Sequence, residues 1–275
     1  MSLLKDKTLF HQCVSEFLGL GIVIFFGVSC LAASVVAGMN FSLWEICIVW
    51  GVAFALGIYL SAGVSGAHLN PAVTIALWRF ANFDKKKVLP YIAAQTAGAF
   101  AGAGLAFLIY HNLFDVYEMA NGLTRGSEES LGLASLFSTY PHADISIFQA
   151  AIVEFVITAI LMLLIMALTD DGNGLPRGPL APLLIGLLVA VIGAATAPLT
   201  GFAMNPARDL GPKVFTAMSG WGEIAFTGGH AIPYFIIPIV APILGACAGA
   251  ALYSCKPAEK TDDTPVSENE RVDTV

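Results

Sequence analysis

The sequence carries little charge. Only 12% of its 275 residues are charged, whereas 57% are hydrophobic, and the mean hydropathy is +0.77. Soluble domains carry about 25% charged residues, so too few are present here to cover a water-facing surface of this size. Disordered chains also need far more charge per residue. The composition therefore excludes a soluble enzyme and a disordered chain, and predicts a protein embedded in a lipid bilayer.

Basic residues and cysteines are also scarce. The net charge of −7 argues against a nucleic-acid partner, which needs a basic face. Six acidic and three basic residues fall within residues 256–275, among Pro, Ser and Thr, which predicts a disordered acidic tail. The five cysteines form no C-x-x-C pair and no His–Cys spacing, so no metal site and no cofactor are expected.

Long uncharged runs organise the rest of the chain. A helix that spans a bilayer needs about 20 apolar residues. The run at 155–168 reaches that length if it is extended back to about residue 145, and the run at 178–207 is too long for one helix. No small-residue cleavage site closes the first run, so it is not a signal peptide. The sequence predicts six spanning helices, over residues 17–37, 46–67, 88–110, 155–168, 178–207 and 231–255.

The distribution of Lys and Arg predicts the orientation of these spans. Six spans place both termini on one side, and ten of the thirteen basic residues lie on that side. Since positive residues favour the cytoplasmic side, both termini are predicted to be cytoplasmic. The three on the other side are Arg125, Arg208 and Lys213.

An internal repeat indicates the architecture. Residues 65–72 read SGAHLNPA and residues 200–207 read TGFAMNPA; Glu16 and Glu154 precede the two Asn residues by 54 and 51 positions. Three spans in each half give the halves opposite orientations, which is an inverted repeat. The predicted organisation is a cytoplasmic N-terminus (1–10), repeat one (11–110), a loop (111–145), repeat two (146–255) and the tail (256–275).

Each Asn-Pro-Ala motif predicts the start of a short helix. Asn at the cap followed by Pro at the first helical position is a strong start signal. The apolar stretches from Pro71 to Trp78 and from Pro206 to about Met218 are too short to cross a bilayer. We therefore predict two re-entrant half-helices whose N-termini meet near the membrane centre, where irregular backbone is tolerated beside a cavity.

This arrangement predicts a passage for neutral solutes. Two helix N-termini, each with roughly half a positive charge, repel cations and protons. Asn70 and Asn205 each offer two side-chain N–H donors. The unwound backbone before each Asn offers carbonyl acceptors, which places Ala67, His68, Leu69, Ala203 and Met204 in the predicted wall.

These features together resemble the aquaporin family, the major intrinsic proteins, over about residues 10–255. The strings SGAHLNPAV and GFAMNPARDLGPKVF are similar to those of bacterial glycerol uptake facilitators, and Asp209 after Arg208 resembles the glycerol-conducting branch. The resemblance implies an all-α membrane fold of six spans and two half-helices. It further implies a homotetramer in a bacterial inner membrane and a pore centre at Asn70, Pro71, Ala72, Asn205, Pro206 and Ala207.

The resemblance also implies an outer constriction, formed by Trp50, Gly193, Phe202 and Arg208. Water-selective members of the family usually have His in place of Gly193. The two aromatic rings would contact the carbons of a polyol, while Arg208 would donate N–H groups to its hydroxyls.

Each of these assignments has an alternative. Arg208 could snorkel to the membrane surface, Trp50 and Phe202 could face lipid, and His68 could pack beneath a half-helix. Glu16 and Glu154 could form a proton relay, although their duplication favours a role in holding the two loops.

The function expected from the sequence is a passive channel for glycerol and other small neutral polyols, with some water. Three alternatives remain: a water-selective pore, a secondary active transporter, and an intramembrane protease. The last rests on Gly63-Val64-Ser65-Gly66, which resembles the serine motif of rhomboid proteases, with His230 as the candidate base. A lone nucleophile would not explain why Thr200 occupies the repeat position of Ser65.

Overall fold

Helices account for most of the chain. The computed structural model describes residues 8–173 and 178–255, so the predicted tail lies outside the described residues, as do residues 1–7. The described residues form ten α-helices. They are α1 (Leu9–Val35), α2 (Leu43–Ser65), α3 (Pro71–Phe80), α4 (Lys85–Asn121), α5 (Leu131–Ala134), α6 (Ile147–Thr169), α7 (Ala181–Thr200), α8 (Pro206–Thr216), α9 (Ile224–Thr227) and α10 (Ile237–Ser254).

Six of these helices are long and apolar enough to cross a membrane, which confirms the predicted fold class. They are α1, α2, α4, α6, α7 with its preceding turn from Gly178, and α10 with its preceding turn from Tyr234. They contain 21 to 37 residues, and their most apolar windows have mean hydropathies of 1.6 to 2.7. The chain folds as a multi-pass membrane protein.

The third span is longer than the sequence predicts. Helix α4 continues to Asn121, so the first part of the predicted loop 111–145 is helical. The uncharged run ends before Asp115 and Glu118, yet Arg125 binds both carboxylates, at 3.1 and 2.7 Å. The charged residues therefore end the uncharged run but not the helix, which continues to Asn121 and is capped by Gly122 in the left-handed conformation.

Helices α3 and α8 are the two half-helices. They contain 10 and 11 residues, or about 15 Å each at 1.5 Å per residue, which is half of a bilayer core. Their predicted ends shift slightly, to Phe80 and Thr216, and a π-helical turn follows α8. Gly220 in that turn has a φ of 108°.

The two halves use the same packing contact. Helix α1 packs on α4, and α6 packs on α10. A Cβ atom at Gly98 or Gly102 of α4 would collide with a backbone oxygen of α1, and one at Gly245 or Gly249 of α10 would collide with a backbone oxygen of α6. The small residues allow the helix backbones to touch, as is common between membrane helices.

An aromatic cluster lies at the end of the molecule opposite the start of α1 and the end of α10. One of its rings, Phe137, belongs to the connecting segment, residues 122–146, which joins α4 to α6. The guanidinium of Arg125 lies 4.7 Å from the Trp221 ring centroid and binds Glu118 through two hydrogen bonds. These contacts of Arg125 attach the connecting segment to α4 and to Trp221. The hydrogen bonds to Glu118 also raise the pKa of Arg125. The rings in the cluster are Phe107, Phe114, Phe137, Phe215 and Trp221.

Candidate functional site

The same unusual backbone turn precedes both half-helices. Ala67 and Leu69 have φ values of 53° and 50°, and the equivalent Phe202 and Met204 have 43° and 50°. Left-handed conformations cost roughly 1–2 kcal/mol for each non-glycine residue. The turns therefore need compensating contacts, and the structure provides them through two buried carboxylates.

Glu154 binds the turn before α8. Its carboxylate accepts hydrogen bonds from Thr200 Oγ1 at 2.6 Å, Ala203 N at 2.9 Å and Met204 N at 2.8 Å. The side chain is fully buried. Three donors, two of them backbone N–H groups of the turn, converge on this one side chain, so their hydrogen bonds offset the strain of the turn.

Glu16 does the same before α3. It accepts hydrogen bonds from Ser65 Oγ at 2.6 Å, His68 N at 2.9 Å and Leu69 N at 2.7 Å. Gln95 Nε2 adds a fourth at 2.8 Å. Both carboxylates are thus occupied by donors of their own loops, an arrangement that favours loop support over a proton relay.

Each of the two Asn side chains forms a hydrogen bond to the backbone of the other repeat. Asn70 Nδ2 donates to Met204 O at 2.9 Å, and Asn205 Nδ2 donates to Leu69 O at 2.7 Å. Each Oδ1 caps its own helix, on Ala72 N and Ala207 N. The expectation of two available donors per Asn is therefore corrected: one N–H of each amide is engaged across the repeat, which leaves one.

The predicted constriction residues lie together. Arg208 is 4% exposed, and its guanidinium lies 4.1 Å from the centroid of the Trp50 ring. Trp50 and Phe202 stand edge to face, with centroids 6.3 Å apart. Arg208 Nη1 donates to Phe137 O at 3.2 Å. All three side chains are buried inside the bundle, which disagrees with a snorkelling arginine and with lipid-facing rings.

Gly193 makes room for one of these rings. A Cβ atom at this position would lie 2.9 Å from Phe202 Cε2 and 3.0 Å from Cys47 Sγ, closer than side chains normally approach. Gly27 has the same relation to Trp50, since a Cβ there would overlap the indole. Gly193 therefore shapes the constriction by admitting Phe202, and does not itself line the cavity described next.

A cavity of about 380 Å³ connects these groups. It extends from Arg208 past the meeting point of the half-helices to Leu168 and Asp171, near the side of the chain termini. Ten of the predicted site residues line it: Trp50, Ala67, His68, Leu69, Asn70, Phe202, Ala203, Met204, Asn205 and Arg208. The predicted pore-centre residues Pro71, Ala72, Pro206 and Ala207 are buried in the first turns of α3 and α8 and do not line it.

His68 combines both of its interpretations. It lines the cavity, and its ring packs on Phe83 and Tyr91, with centroids 4.4 and 5.2 Å away. Its Nδ1 lies 3.1 Å from Thr74 Oγ1 on the half-helix. The ring is therefore held in place by Thr74 of α3, by Phe83 and by Tyr91 of α4, while one side faces the cavity.

The protease hypothesis finds no support in the geometry. Ser65 Oγ donates to Glu16 and accepts from Ala67 N at 3.0 Å, so its hydroxyl is part of the loop support. Within residues 8–173 and 178–255, no hydrogen bond joins Ser65 to His230, whose ring instead lies 6.3 Å from Tyr234. Nucleophilic catalysis requires the nucleophile and the base to be in contact.

The structure adds one group of residues near the predicted constriction that the sequence does not predict as a site. Asp209 and Lys213 form a buried ion pair on α8, with Nζ 2.8 Å from Oδ2, and both bind Thr139. Their spacing of four residues is visible in the sequence as a helical pair. Nothing in the sequence indicated Thr139, which lies 70 residues before Asp209.

Comparisons with known proteins agree with this architecture. Residues 3–253 match the family described as Major intrinsic protein. A propanediol uptake facilitator of Citrobacter freundii is 68% identical over 248 residues, which cover 90% of this chain and 92% of the relative. The glycerol uptake facilitator protein of Escherichia coli K12 is 64% identical over 249 residues, covering 90% and 89%. A solved aquaglyceroporin structure from Plasmodium falciparum aligns with a TM-score of 0.79 at 30% identity, covering 90% and 97%. The chain belongs to the major intrinsic protein family.

Proposed function

We propose that the protein is a passive membrane channel for glycerol and other small neutral polyols, with some water. One observation carries this conclusion: Arg208 lies beside the aromatic corner of Trp50 and Phe202, with its guanidinium 4.1 Å from the Trp50 ring centroid, at one end of a cavity that passes between two opposed half-helices. A polyol has a carbon side and a hydroxyl side, and this constriction presents a matching surface to each.

The guanidinium supplies the polar side of the constriction. It carries five N–H donors in a fixed plane, and one of its side-chain hydrogen bonds goes to Phe137 O. The donors that remain can bind adjacent hydroxyls of a solute that loses its water there. Trp50 and Phe202 replace water around the carbons, because burial of apolar surface is favourable by about 0.8 kcal/mol for each CH₂.

The middle of the passage excludes ions. Helices α3 and α8 begin at Asn70 and Asn205, and each helix N-terminus carries roughly half a positive charge. The remaining N–H of each amide can donate to a solute oxygen, whereas a cation or proton meets two converging positive ends and Arg208 beyond them. A neutral solute is not subject to this barrier.

The relatives extend the expected substrates to diols. The chain is 65% identical to a Haemophilus influenzae protein named glycerol uptake facilitator, and 67% identical to a Salmonella typhimurium protein named propanediol uptake facilitator. Propanediol differs from glycerol by one hydroxyl group, and the aromatic corner would accept its methyl group. Both compounds therefore belong among the proposed solutes.

The setting of the channel is part of the same proposal. We infer a bacterial inner membrane, with both termini cytoplasmic and the connecting segment on the outer side, since ten of thirteen basic residues lie on the side of the termini. Large apolar side chains such as Leu105, Leu108 and Phe148 are exposed on the helices and would contact lipid or neighbouring subunits. Family resemblance supports a homotetramer with one passage per subunit.

Liposome flux measurements test the function. Vesicles that contain the purified protein should swell faster than protein-free vesicles in glycerol and in propanediol, but not in a six-carbon sugar alcohol. Rapid water flux with glycerol flux no faster than in protein-free vesicles would instead indicate the water-selective alternative. Glycerol uptake that stops when a proton gradient is collapsed would indicate a secondary active transporter.

A further inference from the structure

A buried ion pair lies on α8 beside Arg208: Asp209 is the next residue, and Lys213 follows one turn later. Asp209 and Lys213 are both fully buried, and Lys213 Nζ lies 2.9 Å from Oδ1 and 2.8 Å from Oδ2 of Asp209. Removing two charges from water costs several kcal/mol per ion, so a buried pair is by itself weak evidence for added stability. What the pair binds is therefore more informative than the pair itself.

Both members of the pair bind Thr139 of the connecting segment. Asp209 Oδ1 accepts hydrogen bonds from Thr139 N at 2.8 Å and from Thr139 Oγ1 at 2.7 Å. Lys213 Nζ donates to Thr139 O at 2.7 Å. The backbone N–H, the carbonyl and the hydroxyl of one residue are thus all fixed by α8.

The neighbouring residue completes the enclosure. Lys213 Nζ lies 4.3 Å from the centroid of the Tyr140 ring, and Tyr140 OH donates to Ala225 O at 2.7 Å. Burial raises the pKa of the Tyr140 hydroxyl, so the ring stays neutral below the ammonium. Together, these side chains cover Thr139, which is only 3% exposed.

Two residues before Thr139 stands Phe137, whose carbonyl accepts the hydrogen bond from Arg208 Nη1. The Phe137 ring is held in the aromatic cluster against Trp221, at a centroid distance of 6.0 Å. Helix α8 therefore carries Arg208 and also binds the segment that binds Arg208. The Phe137 carbonyl is fixed on one side by its own ring and on the other by Thr139.

The first repeat provides an internal comparison. Alignment of the two Asn-Pro-Ala motifs places Val73, Thr74 and Trp78 of α3 at the positions of Arg208, Asp209 and Lys213. The half-helix α3 begins with the same cap and the same left-handed turn, without an ion pair at these positions. The fold of a half-helix therefore does not require the pair, which occurs in the repeat that carries the arginine.

We propose that Thr139, Asp209 and Lys213 are positioning residues for Arg208: they fix the Phe137 carbonyl and thereby hold the guanidinium against Trp50 in one orientation. This inference rests on the proposed function, because it assigns the selectivity of that passage partly to residues that do not line it. A free arginine side chain samples many rotamers. If the Phe137 carbonyl were less firmly held, Arg208 would adopt more side-chain conformations, and fewer of them would point its N–H groups at a solute.

Substitution of Thr139 tests the proposal with little change in shape. Thr139→Val removes the hydroxyl that donates to Asp209, while Thr139→Ser keeps it. Thr216→Val is the matched control, because Thr216 is also fully buried on α8 and its hydroxyl bonds only backbone carbonyls, of Pro212 and Lys213. Equal amounts of folded protein, measured by gel filtration in detergent, are placed in liposomes, and water and glycerol permeabilities are measured.

We expect Thr139→Val to lower the ratio of glycerol to water permeability about threefold to tenfold, since a net hydrogen bond of ordinary strength corresponds to about that factor. Thr139→Ser should restore the ratio, and Thr216→Val should leave it unchanged. A purely structural role would reduce the yield of folded protein and leave the ratio per folded protein unaltered, which would overturn the proposal. So would an equal change in the control.

A second variant decides the matter if Thr139→Val does not fold. The double variant Asp209→Asn with Lys213→Met removes both charges at similar volume, so no unpaired ion remains buried. It should shift the same ratio in the same direction, and an unchanged ratio would refute the proposal. The unmodified protein separates this outcome from a failure of the proposed function: if it conducts no glycerol, the function is wrong, whereas glycerol flux with unaffected variants leaves only the positioning wrong.

Discussion

The contact between Gly193 and Phe202 gives a prediction that the structure makes quantitative. A Cβ atom at residue 193 would lie 2.9 and 3.0 Å from two carbons of the Phe202 ring and 3.0 Å from Cys47 Sγ. Gly193→His in the otherwise unmodified chain must therefore displace the ring or the helices. Overpacking of this kind costs about 1–3 kcal/mol, so we expect lower thermal stability in detergent and reduced flux of all solutes.

Removing the ring should change solute choice instead. Phe202→Ala removes one wall of the aromatic corner. Alanine is chosen because residue 202 has a φ of 43°, a conformation that a β-branched residue such as valine would adopt only with strain. If two carbons of glycerol lose contact with the ring at about 0.8 kcal/mol each, the loss is about 1.6 kcal/mol. That corresponds to a decrease of about 15-fold in glycerol permeability relative to water.

The double variant Gly193→His with Phe202→Ala should fold better than Gly193→His alone, because the imidazole can occupy the vacated space. We expect a coupling energy of at least about 1 kcal/mol between the two sites in thermal unfolding. Stopped-flow light scattering of proteoliposomes gives both permeabilities, and the ratio should favour water. An unaltered ratio would show that these residues do not form the constriction, and additive stabilities would show that they do not touch.

Three further predictions concern a loop-supporting carboxylate, a helix contact and the arginine of the proposed constriction. Glu154→Gln puts an NH₂ group against backbone N–H donors, so the melting temperature in detergent should fall by several degrees with a parallel loss of flux; unchanged stability would contradict the loop-supporting role. Gly249→Ala should destabilise the protein by more than about 1 kcal/mol because its Cβ meets a backbone oxygen, whereas Gly63→Ala, with open space around it, should be neutral or stabilising. Arg208→Lys keeps the charge but loses the planar stack, so glycerol flux should fall about tenfold while proton leak stays low; a leak that rises equally would show that charge alone does not exclude protons.

The sequence predicts the spans well because each one is a physical requirement. A bilayer core demands an uncharged run of a certain length, and six such runs exist. The ends of the spanning helices are harder to predict. Helix α4, for example, continues past two charged residues, which Arg125 binds from outside the helix. The run at 178–207 likewise contains a helix, a left-handed turn and the start of α8, and only the Asn-Pro-Ala motif shows where it divides.

The site is predictable where the repeat marks it and obscure where it depends on distant contacts. Duplication identified both Asn residues and both carboxylates. It did not reveal that one N–H of each Asn amide donates to the loop of the other repeat. The partners are 134 residues apart for Asn70 and 136 residues apart for Asn205. Thr139 is invisible for the same reason: a threonine in a connecting segment has no local pattern that identifies its partner on α8.

The difference between the two halves separates two properties of the channel. The opposed helix N-termini, the cross-linked Asn residues and the supporting carboxylates occur in both repeats, so they form a symmetric centre. Arg208 and the neighbouring ion pair of Asp209 and Lys213 occur in one repeat only. The equivalent positions of the other repeat hold Val73, Thr74 and Trp78. Repulsion of cations at the centre needs only the symmetric parts, because it arises from the backbone dipoles. On the proposed function, selection of a carbon-bearing solute depends on the asymmetric parts, which lie toward the connecting segment. We therefore expect ion exclusion and solute choice to depend on different depths of the proposed passage, so changes at Phe202 should alter the second while the first persists.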